Sequence, residues 1–212
     1  MSLYLGSNKF KEVYLGSNKI KEVYLGSNKI YSSIEPPPVP TWGSADINGQ
    51  IWMTENLSYD DGGEGITSRD IPNVNGVSLG TQYYYTWSAA MRIAASIDGW
   101  HLPTSGEYKT LLDYAGGLGT TLAGKNLRAT SSWNNNKNGD DSYGFNWVAA
   151  GQLTTSWDNP GTRSCLWVSA ANMTATKQLN VYCNVDTGNG KATTGNQGAA
   201  AYLSVRLVKD SE

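Results

Sequence analysis

The chain holds a single histidine, His101, and only two cysteines, Cys165 and Cys183. One histidine leaves a Ser-His-Asp or Cys-His arrangement a single base to choose from. It stands between Trp100 and Leu102 ahead of a helix start, where it reads as a packed, hydrogen-bonded structural residue. Two cysteines cannot make a metal motif. They can be bridged to each other or remain two buried thiols, and the sequence leaves both open. No run approaches about 18 apolar residues, so no membrane span is expected. The first 35 residues hold no charged segment followed by an apolar core, so no export leader is expected among them. A net charge of −2 without a basic block lacks the electrostatic footprint of a nucleic-acid binder. Only 2 Phe and 4 Met stand against 24 Gly, 13 Tyr and 8 Trp, a loop-rich, aromatic-anchored composition unlike that of a helical bundle.

What is present begins with an internal repeat. Tyr4-Leu5-Gly6-Ser7-Asn8-Lys9 returns from Tyr14 to Lys19 and again from Tyr24 to Lys29, a period of ten residues. Each unit reads as a strand of about six residues and a turn of about four, so residues 1–33 are expected to form a small β-meander. Such a sheet is too thin to stand alone and wants a cover, which suits an attachment or oligomerisation segment; the alternative is a short sheet packed on its own main domain. Ile34-Glu35-Pro36-Pro37-Pro38-Val39-Pro40 is a polyproline-type spacer of roughly 20 Å, so a linker is assigned to 34–41 and one main domain to 42–212.

In that domain Asn48-Gly49 marks a hairpin turn ahead of Ile51-Trp52-Met53. A Gly-rich loop is expected over 60–80, then a buried helix from Thr86 to Ile97, stopped by Asp98-Gly99. Thr104 and Glu107 have capping-box spacing, so a second helix is expected from Ser105 to about Ala115, with Gly116-Gly117 as its stop. Trp100 and Leu102 plug the space between the two. Beyond residue 118 only short strand-like pieces remain, among them 145–148, 165–168, 178–182 and 202–208. Strands, two helices, long loops and strands again make an α+β fold.

The series Ile51-Trp52-Met53-Thr54-Glu55-Asn56-Leu57, Tyr85-Thr86-Trp87, Gly99-Trp100-His101-Leu102-Pro103-Thr104, Tyr143-Gly144-Phe145, Leu166-Trp167 and Ser204-Val205-Arg206-Leu207-Val208-Lys209-Asp210 resembles the Fibrobacter succinogenes major paralogous domain over roughly residues 42–210. That family is widespread in Bacteroidetes and grouped with C-type lectin-like folds. The resemblance implies a C-type lectin-like domain with paired first and last strands, a mixed or antiparallel sheet, two flanking helices and a long loop region that presents a binding surface. The repeats resemble those of phage and prophage tail proteins, which implies a receptor-binding component of a virion tail, recognising a glycan or protein on a bacterial surface and joined as a homo-oligomer to other tail proteins through its repeats. A bacterial surface adhesin is the alternative. C-type lectin-like domains at tail tips also resemble the variable proteins of diversity-generating retroelements; Asn172, Asn180, Asn184, Asn189 and Asn196 would suit a rewritten loop, and equally a polar lectin loop without that history.

The residues expected to touch ligand are Trp133, Trp157, Asn159, Ser169, Asn172, Thr174, Asn180, Tyr182 and Asn184, since exposed indoles and amides offer contact area and hydrogen bonds. Trp52, Trp87, Trp100, Trp147 and Trp167 read as core. Calcium is the cofactor weighed: residues 134–141 and Trp157-Asp158-Asn159-Pro160 supply oxygen donors, yet neither reproduces the Glu-Pro-Asn and Trp-Asn-Asp pairing of sugar-binding C-type lectins, so no cofactor is expected. The adjacent carboxylates Asp60-Asp61 and Asp140-Asp141 read as solvated loops, and the protein is expected not to be an enzyme.

The oligomerisation reading is testable by light scattering. The full chain is expected to be multimeric and a version beginning at Thr41 monomeric; two monomers would overturn it.

Overall fold

The computed structural model describes residues 41–210 except 72, 75, 135 and 170–176, with only the backbone of 177–179 and 181, and also the backbone of six short strands before residue 33. The chain divides into two compact units, Met1–Pro38 and Val39–Glu212. In the first, β1 (Tyr4–Leu5) pairs with β2 (Asn8–Lys9), β3 (Tyr14–Leu15) with β4 (Asn18–Lys19), and β5 (Glu22–Leu25) with β6 (Asn28–Ser32), all antiparallel. Among the described residues each hairpin pairs only with itself, so the expected meander is instead three separate two-stranded pieces, one per repeat. The linker residues 34–40 lie outside the described residues.

The second unit is α+β, with several small antiparallel sheets and three helices. Its first strands, β7 (Ser44–Ile47) and β8 (Gln50–Met53), are joined at Asn48-Gly49, both at positive φ (55° and 78°), the conformation a tight two-residue hairpin demands. The last strand, β17 (Val208–Lys209), lies between β8 and β11 (Trp100–His101), so the beginning and end of the domain share one sheet in the order β11-β17-β8-β7. The residues leading into β17 serve several neighbours in turn: Tyr202 pairs with Leu153, Leu203 with Tyr85, Ser204 with Leu166, and the carbonyls of Val205 and Leu207 accept from the amides of Leu57 and Met53. The stretch expected to be a seven-residue strand is thus regular only at its end, because its partners lie on different elements.

Helix α1 (Trp87–Ala94) starts on Thr86, whose hydroxyl accepts from the Ala89 amide. It buries Ala89, Ala90, Ile93 and Ala94, small groups that let the helix lie close to Tyr85, Trp167 and Leu203. Helix α2 (Ser105–Tyr114) carries the expected capping box: Thr104 Oγ1 accepts from the Glu107 amide at 3.2 Å and Glu107 Oε2 from the Thr104 amide at 2.7 Å. A third helix, α3 (Thr121–Leu127), stands where only strand-like pieces were expected. Its Gly124 abuts the Gly190 carbonyl so closely that a Cβ would lie 1.9 Å from the oxygen, so packing rather than propensity dictates the residue. No described helix is long and apolar enough to cross a membrane.

The region expected as a loop over 60–80 contains β9 (Ile66–Ile71), paired along its whole length with β10 (Gly80–Tyr85). A short hairpin joins β12 (Gln152–Leu153) to β13 (Trp157–Asp158), and β14 (Arg163–Trp167), β15 (Lys177–Asn184) and β16 (Lys191–Gly198) form a three-stranded antiparallel sheet. One face of β14 packs Leu166 into the cluster around Trp52, Tyr108, Trp133 and Trp147; the other packs Cys165 and Trp167 into the cluster beneath α1. Both thiols are buried and unbridged. Each buried indole finds a hydrogen-bond partner: Trp133 Nε1 donates to the Trp147 carbonyl, Trp147 Nε1 to Ser164 Oγ and Trp167 Nε1 to the Tyr85 carbonyl. Trp87 and Trp100, expected in the core, are half-buried at its margin.

His101 departs from the expected packed residue. It is half-exposed and held between two carboxylates, Nδ1 at 2.6 Å from Asp210 Oδ1 and Nε2 at 2.7 Å from Glu107 Oε1, tying the chain after β17 to the start of α2. Partial burial opposes its charge, but the hydrogen bonds and charges of Asp210 and Glu107 outweigh it and raise its pKa above 6.5. The protonated clamp therefore stabilises the fold in full below the ordinary histidine pKa and fades as pH rises through the raised value. The melting temperature of the wild type is expected to fall across that window more than that of His101→Gln; equal slopes in calorimetry would remove the clamp.

Candidate functional site

Strand β15 sets the site. Its alternate residues share a face, and the register places Asn180, Tyr182 and Asn184 beside Trp167, Cys165 and Arg163 of β14 and beside Gly195, Thr193 and Lys191 of β16. On the β14 side Trp167 and Cys165 are covered and Arg163 is half-buried. Toward β16 the face is polar, with Thr193, Gly195 and Gln197 partly open.

Asn180 is 1% exposed, and neither its Oδ1 nor its Nδ2 has a hydrogen-bond partner. Among the described residues it is the only side-chain amide left so. Its niche is made by Gly195 opposite, where a Cβ would sit 2.8 Å from Tyr182 Cε1 and 3.2 Å from Asn180 Oδ1. Any larger residue at 195 would displace the Tyr182 ring or fill the space beside the amide. Leaving a buried amide unpaired costs about 1–3 kcal/mol, and such groups call for an explanation beyond packing.

The neighbours are polar and ordered. The Arg163 guanidinium lies 4.9 Å over the Tyr182 ring, and its Nε donates to Cys165 Sγ. Gln152 Oε1 accepts from Cys165 Sγ at 3.1 Å and from Gln197 Nε2 at 3.3 Å. Hydrogen bonds from the Thr154 and Ser156 hydroxyls hold the Asp158 carboxyl below the usual range. Burial pushes the Cys165 thiol up to about 11 against the pull of Arg163, so thiolate is scarce at neutral pH. The face thus offers amides, an aromatic plane and hydroxyls, with Arg163 and Lys191 beside them.

Of the residues expected from the sequence, the structure brings Asn180 and Tyr182 together here. Asn184 shares their face but is spent locally: its Oδ1 accepts from the Asp186 and Thr187 amides, shaping the turn to β16. Trp133 is fully buried and belongs to the core, because its indole N–H reaches the Trp147 carbonyl and Arg128 lies over its ring. Trp157 is half-buried and faces elsewhere; the β12–β13 register places it with Leu153 on the side opposite Gln152 and Asp158, where it meets Tyr84 at 4.6 Å and Arg69 at 5.0 Å. Asn159, at φ 59°, makes the turn before β14, its carbonyl accepting from Thr162 and Arg163. Ser169 is half-buried and donates its amide to the Pro103 carbonyl. Asn172 and Thr174 lie outside the described residues. Gln152, Arg163, Thr193 and Gln197 were not singled out from the sequence; the one signal was the polar alternation Thr193-x-Gly195-x-Gln197, which carries no apolar period to mark a strand.

The oxygen donors weighed for calcium have local partners. Asp140 pairs with Lys125, Asp141 Oδ1 accepts from the Asn146 amide, Asn138 Oδ1 from the Trp133 amide, and Asp158 from Thr154 and Ser156. No group of three His, Cys, Asp or Glu side chains suited to a metal occurs among the described residues.

Replacing Asn180 by Leu removes two unpaired polar atoms and keeps the branched shape, so Asn180→Leu is expected to stabilise the protein by about 1–3 kcal/mol in urea unfolding. Destabilisation would mean that the amide is satisfied in the free protein.

No curated protein and no solved structure matches the chain. The family model of the Fibrobacter succinogenes major domain matches residues 45–209, from β7 to the last residue of β17, and the chain belongs to that family.

Proposed function

We propose that the protein is a non-enzymatic binding module with C-type lectin-like organisation, which takes a polar ligand on the β14–β15–β16 face. The observation that carries this reading is the unpaired, buried amide of Asn180 beside an aromatic ring and the Gln152–Gln197 pair. An amide donates and accepts at once, so it suits the vicinal hydroxyls of a sugar or the peptide groups of a protein loop. The lone histidine is committed to two carboxylates away from this face, so it does not serve as a base there. The setting that fits the repeats is a phage or prophage tail, where three hairpins attach the module and its polar face meets a glycan or protein of the bacterial surface.

An array of bacterial glycans and surface proteins tests it. Wild type and Trp157→Ala are expected to bind the same spots, and Asn180→Leu to lose them while remaining folded. Undiminished binding by Asn180→Leu would overturn the assignment.

A further inference from the structure

A cavity of about 340 Å³ lies between the end of β8, β10 and the chain before β17, with Glu55, Asn56, Ser58, Gln82, Asn146 and Arg206 in its wall. It shares no residue with the sheet face above. Its size suits one small molecule.

Arg206 backs it and is fully buried. Nε donates to Asn56 Oδ1 at 3.1 Å, Nη1 to the carbonyls of Phe145 and Met53, and Nη2 to the Asn146 carbonyl at 2.7 Å. These are dipoles, not counter-charges: among the described residues no carboxylate comes within ion-pair distance of the guanidinium. Burial lowers its pKa to about 10, so it stays charged at neutral pH. A buried charge whose direct partners are all dipoles, with carboxylates acting on it only from farther off, favours an anion close by.

The amides in front of Arg206 are oriented to meet one. The guanidinium can only donate, which fixes Asn56 Oδ1 as acceptor and Nδ2 as donor. Asn56 Nδ2 gives one N–H to Gln82 Oε1 at 3.0 Å, and Gln82 Nε2 gives one to the Leu79 carbonyl at 2.7 Å. Each amide thus has its oxygen occupied and one N–H in reserve, and both residues line the cavity. Two acids act on Arg206 from beyond ion-pair distance: Asp141, whose Oδ1 accepts from the Asn146 amide, and the exposed Glu55, whose Oε1 accepts from the Gly43 amide. We propose that this cavity binds a small carboxylate, held by the free N–H groups of Asn56 and Gln82 and stabilised from behind by the charge of Arg206. Two sources carry that chemistry, an acidic sugar and the C-terminal end of a peptide.

The test titrates the full chain with D-glucuronate and N-acetylglycine, and with their neutral counterparts D-glucose and N-acetylglycinamide. Side-chain amide signals of Asn56 and Gln82 are followed by NMR. At least one carboxylate is expected to shift both signals, and the neutral partners neither. Tighter binding of glucuronate assigns an acidic sugar and tighter binding of N-acetylglycine a peptide end. Gln82→Glu, which adds a like charge at the wall, is expected to weaken binding roughly tenfold or more in the folded protein; should it unfold the protein, Ser58→Glu serves the same purpose. Silence of both amides with both carboxylates, equal response to the neutral compounds, or full affinity in the folded charged variant would overturn the proposal.

Discussion

The backbone of residues 202–210 must find a hydrogen-bond partner at nearly every step, and it finds them on six different stretches of chain: around 153, 85, 166, 57, 52–53 and 99–101. Buried amides and carbonyls cannot be left unpaired, so this short run dictates where each of those stretches must lie. α1 packs beneath Leu203 and Leu207, the sheet β14–β16 is anchored through Ser204, and the start of the domain closes against Val208. Side-chain burial supplies most of the driving force, and four fully buried indoles alone remove a large apolar area from water. The arrangement of those indoles follows from the backbone they sit on.

Two ways of managing a buried polar group coexist in this domain. Arg206 is surrounded by carbonyls and an amide that answer four of its five N–H groups, and it ties the 145–146 loop to the end of β8. Asn180 is answered by nothing within the described chain. The first arrangement builds rigidity from polarity; the second keeps an unmet demand at a fixed place on the sheet.

Local chemistry made part of this fold legible. Asn48-Gly49 and the Thr104–Glu107 pair name their turn and cap by side-chain geometry alone, and both stand as expected. α3 was hidden because its Gly124 and Asn126 are poor helix formers, retained since one fits against Gly190 and the other donates to the Ala115 carbonyl. β9 and β16 were hidden because Thr, Ser, Gly and Asn carry no apolar period even when they pair along six or eight residues. For the candidate site, Asn180 and Tyr182 were readable as polar and aromatic residues in a strand-like run, but which face they share with Arg163 and Gln197 depends on register. Trp133 and Trp157 sit in similar polar surroundings in sequence; only tertiary contacts separate a core indole from one at the margin.

Ribosomes deliver a chain from its first residue to its last, and here the segment that organises the domain is made at the end. Until Asp210 has emerged, the helices and the three-stranded sheet have no common strand to gather on. The cluster beneath α1 therefore lacks Ala201, Leu203, Val205 and Leu207 until then, and that side of the domain can close only once the last strand is made.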